Sequence, residues 1–262
     1  MNNTRKFTFF KYQGTGNDFI LIDNRQNFFP RKDKKLIRSV CERKFGVGAD
    51  GLILLENDTQ FDFKMVYYNS DGNESTMCGN GGRCVVAFAK LLGIIGPETV
   101  FMAVDGKHKA TIVDDVVTLQ MIDVTNIRET GKYFYLNTGS PHHVQLVPNL
   151  DTLDVQKEGA KIRYGIYGEE GSNINFVNEN DSGSFDVRTY ERGVEGETLS
   201  CGTGVTAVAL AMHRSGKTKK EKVKIKTVGG NLEVSFAAGN ASYTDVKLTG
   251  TAKMVFKGEM EW

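Results

Sequence analysis

A pattern that occurs twice constrains this chain more than any other feature. MCGNGGRC at 77–84 and SCGTG at 200–204 each set a cysteine directly before a glycine-rich turn, and an apolar run follows both, VVAFAKLL and VTAVALAM. Sliding the chain over itself by 123 residues aligns Cys78 with Cys201, Gly79 with Gly202, Gly81 with Gly204, Val85 with Val208 and Gly93 with Gly216, with no gap. The same offset pairs Glu74 with Glu197, Tyr67 with Tyr190, Gly48 with Gly171, and Thr15-Gly16 with Thr138-Gly139. With 29 glycines in 262 residues, scattered matches carry little weight. Clustering around each Cys-Gly-x-Gly argues for an internal duplication. It predicts an α+β fold of two pseudo-symmetric lobes, 1–124 and 125–252, each a mostly antiparallel sheet wrapped around a buried helix, with a cleft between them. The polar stretch DVTNIRETG carries the expected boundary.

Short β-branched or aromatic runs between Gly, Asn and Asp clusters predict strands at 19–23, 52–55, 61–67, 99–104, 109–113 and 116–121. The second half repeats the habit at 133–136, 143–147, 174–177, 184–190, 223–227, 232–236, 241–248 and 252–257. Helices are expected at 34–43, capped by Asp33, and at 83–92 and 205–214, each of the latter closing on a glycine, Gly93 or Gly216, suited to a left-handed cap. Those two helices are apolar on nearly every face, which calls for enclosure by other structure.

Composition narrows the partners. Lys plus Arg number 33 and Asp plus Glu 32, so no global field attracts nucleic acid or an anionic membrane. No apolar run approaches the roughly 18 residues of a membrane span, and the basic start lacks the apolar core of a secretory leader. The expectation is a cytoplasmic protein with a small-molecule ligand. Its four cysteines, Cys41, Cys78, Cys84 and Cys201, form neither a disulfide framework nor a Cys-x-x-Cys metal site. The residues imply neither a metal nor a cofactor. GVGADG at 46–51 matches the dinucleotide fingerprint only formally, because a strand-like LILL follows it where a helix should open.

Why place a thiol there? A helix N-terminus exposes unpaired N–H groups and about half a positive charge. A cysteine at that point has its thiolate stabilised and can act as a base. Glycines beside it leave the N–H groups open to a substrate carboxylate. Two such sites suit inversion at a carbon atom: one thiolate removes the Cα proton and the other thiol returns a proton to the opposite face.

At this point the sequence resembles the diaminopimelate epimerase family of cofactor-independent racemases. The segments that carry the likeness run nearly end to end: GTGNDFILID, RKFGVGADGLILL, YNSDGNESTMCGNGGRC, NTGSPHHV, GSNINFVN, RTYERGVEGETLSCGTG and LTGTAKMVFKG. The resemblance implies interconversion of LL- and meso-2,6-diaminopimelate, in lysine and peptidoglycan precursor synthesis, by a homodimer. It makes Cys78 and Cys201 the proton acceptor and donor, with His142 and Glu191 as helpers. Substrate-binding positions implied are Asn17, Asn69, Gly79, Asn80, Asn173, Glu191, Arg192, Gly202 and Thr203. A C-terminal segment, about 253–262, is expected to return to the first lobe. Two departures stand out. Some members carry glutamine where this chain has Gly51, and some read GNPH where this chain reads Gly139-Ser140-Pro141-His142.

Plainer readings apply elsewhere. Cys41 and Cys84 have no duplicate partner and read as packing residues, Cys84 at the start of an apolar helix. His143, His108 and His213 read as structural, and Asp71 as turn chemistry. Two other function classes stay open from the residues alone. A cysteine hydrolase would use Cys78 with His142 but leave Cys201 unexplained, and a non-catalytic amino-acid-binding module would need neither thiol.

Overall fold

In the computed structural model residues 6–180 and 183–261 are described. They form two compact units. The first runs to Leu119 and resumes at Thr251, and the second is Gln120–Gly250. Residues 121–124 go with the second unit because Met121 N donates to Val246 O and Val124 bridges Tyr243.

The first unit contains β1 (Lys6–Gly14), β2 (Asn17–Asp23), α1 (Lys34–Cys41), β3 (Gly51–Glu56), β4 (Phe63–Asn69), β5 (Glu74–Ser75), α2 (Gly79–Leu91), β6 (Glu98–Ala103), β7 (Gly106–Val113) and β8 (Val116–Gln120), where the chain passes to the second unit. The second holds β9 (Ile127–Glu129), β10 (Phe134–Asn137), β11 (Pro141–Leu146), α3 (Val155–Tyr167), β12 (Asn173–Glu179), β13 (Phe185–Glu191), β14 (Gly196–Thr198), α4 (Gly202–Arg214), β15 (Lys222–Thr227), β16 (Gly230–Ala238) and β17 (Tyr243–Thr251). The chain ends in β18 (Lys253–Glu261), which pairs antiparallel with β1 of the first unit.

Each unit has the same connectivity. In the first the strand order is β18, β1, β2, β3, β4, β6, β7, β8, with β5 also on β4. In the second it is β9, β10, β11, β12, β13, β15, β16, β17, with β14 on β13. All these pairs are antiparallel except β2–β3 and β4–β6 in one unit, and β11–β12 and β13–β15 in the other. A parallel pair needs a crossover, and the four helices fill those four connections in matching order.

Strand periodicity explains the layering. Alternate residues of β2 and β3 point to opposite faces. Ile20, Ile22, Leu52 and Leu54 pack with Phe7, Phe9 and Val66 against Ile37 and Val40 of α1. Helix α2 takes another side, packing on β1, β2, β3 and β7, with Phe88 against the rings of Phe10 and Tyr12. From Gly79 to Val86, and again at Phe88 and Ala89, α2 is buried. Helix α4 is enclosed likewise by β10, β11, β12, β13, β15 and β16, and every residue from Gly204 to Met212 is buried. Fully burying each Val, Leu or Phe contributes about 1.5–3 kcal/mol, so these two helices are principal anchors of their units.

Three sequence expectations shift. Both enclosed helices begin earlier than 83 and 205, immediately after Cys78 and Cys201, so Cys84 lies in the second turn of α2 rather than at its start. Glycine has poor helix propensity, but Cys78 Sγ accepts from Gly81 N and caps the first turn. Strand β1 has no counterpart in the sequence reading, although its burial alternates from Lys6 to Lys11, where a register shift interrupts the pattern. Helix α3 has none either. Its Gly159 and Gly165 mask the helical signal, and Gly159 is a packing requirement: a Cβ there would lie 2.4 Å from Tyr190 Cβ.

Candidate active site

In the first unit the candidates gather around the start of α2. Cys78 is the N-cap in extended conformation, partly exposed, with Sγ accepting from Gly81 N over 3.1 Å. Gly81 leaves room at the sulfur, since a Cβ would sit 3.2 Å from both Cys78 Sγ and Ile53 Cδ1 and press on them. Asn80 is buried and donates from Nδ2 to Asn17 Oδ1 at 3.2 Å. Asn17 Nδ2 donates in turn to Asp50 Oδ2 at 2.6 Å. Beneath them lies an ion network. Arg43 bridges Asp18 and Asp50, each at 2.7 Å, and Lys11 pairs with Asp18 at 2.7 Å. Burial would raise the Asp18 carboxyl, but the hydrogen bonds and charges of Arg43 and Lys11 outweigh it and hold Asp18 well below the usual carboxylate range. Asn69 is exposed at the end of β4, opposite Gly51 in register, and the next residue, Ser70, donates N–H to Asp50 O.

Behind these residues is Arg83. It is fully buried on α2, and because helical side chains lean toward the N-terminus it covers the first turn. Its Nη1 donates to Gly79 O, and its Nη2 donates to both Thr15 Oγ1 and Asn80 Oδ1, each at 3.1 Å. Among the described residues, Arg83 Nε alone of the buried side-chain N and O atoms lacks a hydrogen-bond partner. Burial lowers the pKa of this guanidinium, and the groups opposing that shift are the thiols of Cys84 and Cys78. Gly14 leaves it room, since a Cβ there would come 3.1 Å from Arg83 Nη2.

The second unit repeats the helix start with different neighbours. Cys201 is the N-cap of α4, 7% exposed, with Sγ 3.4 Å from Thr203 Oγ1. Thr203 Oγ1 lies 3.2 Å from Ser140 Oγ, and its carbonyl accepts from Thr138 Oγ1. Ser140 Oγ is 2.9 Å from His142 Nε2 and accepts from Asn173 Nδ2 at 3.2 Å. His142 is fully buried, with Nδ1 3.1 Å from Asn175 Nδ2. Burial, reinforced by the nearby charge of Arg192, pushes His142 down to about 3. The ring is therefore neutral at working pH, and its two nitrogens are engaged by Ser140 and Asn175, not poised as a base beside a nucleophile. Arg192 N donates to Asn173 Oδ1 and Arg192 Nη1 to Glu170 O. Glu191 Oε2 accepts from Thr198 Oγ1 at 2.9 Å. The loop that follows is tied down by Glu195, which accepts from Arg163, Tyr164, Tyr190 and Gly193 N.

Each unit thus draws candidates to one helix start: Asn17, Gly79 and Asn80 around Cys78, and His142, Asn173, Gly202 and Thr203 around Cys201, where Ser140, named only as a departure from the family pattern, joins them. The second glycine of CGTG has a local reason too. A Cβ on Gly204 would fall 2.4 Å from Asn175 Oδ1, so that glycine lets α4 approach β12 rather than opening N–H groups. Position 51 is glycine for a similar cause, since a Cβ would lie 2.5 Å from Tyr67 Cε2 and Tyr68 O. The other cysteines differ from the capping pair. Burial pushes Cys41 up to about 12 and Cys84 higher still, so both are protonated packing residues.

Sequence reasoning did not single out Asp50, Arg43, Arg83 or Asn175. A signal existed for two. Arg83 is a charge set directly before the apolar run CVVAFA, and Asn175 stands two residues after Asn173 on the same strand face. Among the described residues no group of three or more His, Cys, Asp and Glu is arranged to hold a metal ion.

Comparison with known proteins follows this geometry. The family profile described as Diaminopimelate epimerase matches residues 9–126 and 134–255. The diaminopimelate epimerase of Flavobacterium psychrophilum is 59% identical over 250 residues, covering 95% of this chain and 98% of its own. That of Chlorobaculum tepidum is 42% identical over 255 residues, covering 94% and 98%. Among solved structures, a phenazine biosynthesis protein of the PhzF family from Bacillus anthracis superposes with a TM-score of 0.77 at 12% identity, covering 98% of this chain and 99% of its own. A hydroxyproline epimerase from Agrobacterium vitis, with bound trans-4-hydroxy-L-proline, gives 0.70 at 18% identity, covering 100% and 94%. At such identities these two likenesses concern the fold alone.

Proposed function

The chain belongs to the diaminopimelate epimerase family, and from that premise we propose that Cys78 and Cys201 carry out its reaction as a pair of acid–base thiols. The activity is that of an isomerase, the epimerisation of LL-2,6-diaminopimelate to the meso form, which serves lysine biosynthesis. One observation carries the mechanism: two units of identical connectivity each present a cysteine as the N-cap of an enclosed helix. One thiolate takes the Cα proton and becomes a thiol, while the other thiol gives up its proton to the opposite face and becomes a thiolate. Atoms and charge balance without a redox partner, and the roles exchange in the reverse direction.

The difficulty is the carbanion. Each pKa unit between Cα–H and thiol costs about 1.36 kcal/mol, so the negative charge that develops on the substrate carboxylate needs fixed dipoles. The N–H groups at the starts of α2 and α4 are such dipoles. Asn17, Asn69, Asn80, Asn173, Glu191 and Arg192 are assigned to the amino-carboxylate ends of the substrate, where Arg and Asn side chains recognise carboxylate and ammonium groups. His142 acts through Ser140 rather than on substrate.

A second copy of the chain is the proposed partner, and the exposed Met254, Val255 and Phe256 of β18 support it as apolar surface on a sheet edge. Light scattering on the purified protein at micromolar concentration tests this. Among the described residues no helix is long and apolar enough to cross a membrane; the cytoplasmic location is proposed from the biosynthetic role of the family. The decisive assay is proton NMR of LL-diaminopimelate in D₂O with the purified protein and no added cofactor. Loss of the Cα–H signal with appearance of the meso isomer, abolished in Cys78→Ala and in Cys201→Ala, is the expected result. Full activity in either variant overturns the two-thiol reading.

A further inference from the structure

The hydrogen bonds around Cys201 have a direction that the partners themselves fix. Asn175 Nδ2 donates to His143 O at 2.9 Å, and its Oδ1 accepts from Thr189 Oγ1 at 3.0 Å, so the amide orientation is set by a backbone carbonyl. The second Nδ2 hydrogen then points at His142 Nδ1, which must be the acceptor. A neutral imidazole that accepts at Nδ1 carries its proton on Nε2, and that N–H donates to Ser140 Oγ. Asn173 is fixed in the same way. Its Oδ1 accepts from Arg192 N, and its Nδ2 donates to Pro141 O and to Ser140 Oγ. Ser140 Oγ thus receives two hydrogen bonds, which occupies both lone pairs and leaves its own proton for Thr203 Oγ1. Having accepted there, Thr203 keeps its own proton to donate to Cys201 Sγ, 3.4 Å away, whenever that sulfur is a thiolate and has no proton of its own to give.

We propose that Ser140 is a positioning residue that, with Thr203, forms a one-way hydroxyl relay from His142 to Cys201 and holds that sulfur as a hydrogen-bond acceptor, favouring the thiolate. This rests on the two-thiol reading for its catalytic meaning but not for its test. A hydrogen bond donated to the charged form stabilises it. The relay also gives the departure at position 140 a role, because a hydroxyl can accept twice and donate once through a single atom. Charged and titratable groups on the strands around α4 are held elsewhere: on β13 Arg188 pairs with Glu197 and Asp186 accepts from Asn180 Nδ2, and on β11 burial keeps His143 neutral. His142 on β11 is neutral, Glu191 at the end of β13 is held by Thr198, and Arg192 just beyond it is tied to Asn173 and Glu170. On β15 and β16, Lys222 pairs with Glu233, and Lys224 and Lys226 are exposed; Glu179 on β12 is exposed and pairs with Lys217.

The experiment is the rate of iodoacetamide alkylation of Cys201 and of Cys78, read separately by peptide mass spectrometry from pH 5 to 10. It is run in the unaltered chain, Ser140→Ala and Ser140→Thr. Ser140→Ala is expected to move the Cys201 midpoint upward by about half a pH unit or more, Ser140→Thr to restore it, and Cys78 to stay where it was in both. An unmoved Cys201 midpoint in Ser140→Ala overturns the relay. So does an equal movement of Cys78, which would mark general loosening. Epimerase activity in Cys201→Ala is measured alongside: its retention removes the two-thiol reading, whereas an unmoved midpoint with an inactive Cys201→Ala removes the relay alone.

Discussion

Asn175 Nδ2 and His142 Nδ1 are 3.1 Å apart in a fully buried contact, and this contact makes the imidazolium intolerable. A proton on Nδ1 would face an N–H that has no other place to turn. Burial lowers His142 to about 3, and burial lowers His143 to about 4 against the opposing hydrogen bond from Gln145.

Stability should therefore fall in mild acid. The unfolded chain binds protons at both histidines as pH drops through about 6.5, whereas the folded chain does not until pH nears 4 and then 3. Between those limits the unfolded state holds more protons, so each histidine removes up to about 1.4 kcal/mol of stability per pH unit as pH falls. Urea unfolding at pH 7, 6 and 5 checks this. His143→Gln should halve the slope, and a flat profile in the unaltered chain would contradict the burial argument.

Gly204→Ala and Gly81→Ala should separate folding from chemistry. The added Cβ at 204 meets Asn175 Oδ1 at 2.4 Å, inside a packed layer, and should cost about 1–3 kcal/mol through overpacking. At 81 it meets Cys78 Sγ and the flexible tip of Ile53 at 3.2 Å. Displacing the sulfur from Gly81 N should lower kcat/KM by about tenfold or more with a smaller loss of stability, since a misplaced reacting group is costly. Thermal unfolding and steady-state kinetics on both variants distinguish the two effects.

Arg83→Met removes a buried cation and the hydrogen bonds it donates to Gly79 O, Thr15 Oγ1 and Asn80 Oδ1. Losing three donated hydrogen bonds costs about 1 kcal/mol each, offset in part because a cation is no longer buried, so the melting temperature should fall by several degrees. KM for LL-diaminopimelate should rise about tenfold, the worth of one or two hydrogen bonds no longer holding the Asn80 amide. A large fall in melting temperature with unchanged KM would show that Arg83 serves packing only.

Gly51→Ala tests why this position lacks a side chain. Its Cβ would overlap Tyr67 Cε2 and the Tyr68 carbonyl, each at 2.5 Å, and backbone cannot swing away as a side chain can. Denaturant titration should show a loss of about 1–3 kcal/mol. An equally stable variant would mean that β3 and β4 tolerate more separation than their register implies.

Much of the fold was written in local pattern. Periodic apolar runs and the turn residues between them located most strands, and the 123-residue offset foretold two similar units because duplicated sequence repeats the same burial pattern. The same offset places α3 close to the counterpart of α1, yet α3 went unread. Its Gly159 and Gly165 lower local propensity, and only contact with Tyr190 makes the first of them necessary. The two capping cysteines were likewise visible, since a thiol before a glycine turn and an apolar run is a local statement. What the chain alone could not convey is direction and burial among residues far apart in sequence. That His142 is neutral, that Asn175 fixes its tautomer, and that Arg83 is fully buried behind the start of α2 all follow from packing. Hydrogen-bond polarity and desolvation are properties of assembled neighbours, and those neighbours come from strands and loops up to 68 residues apart.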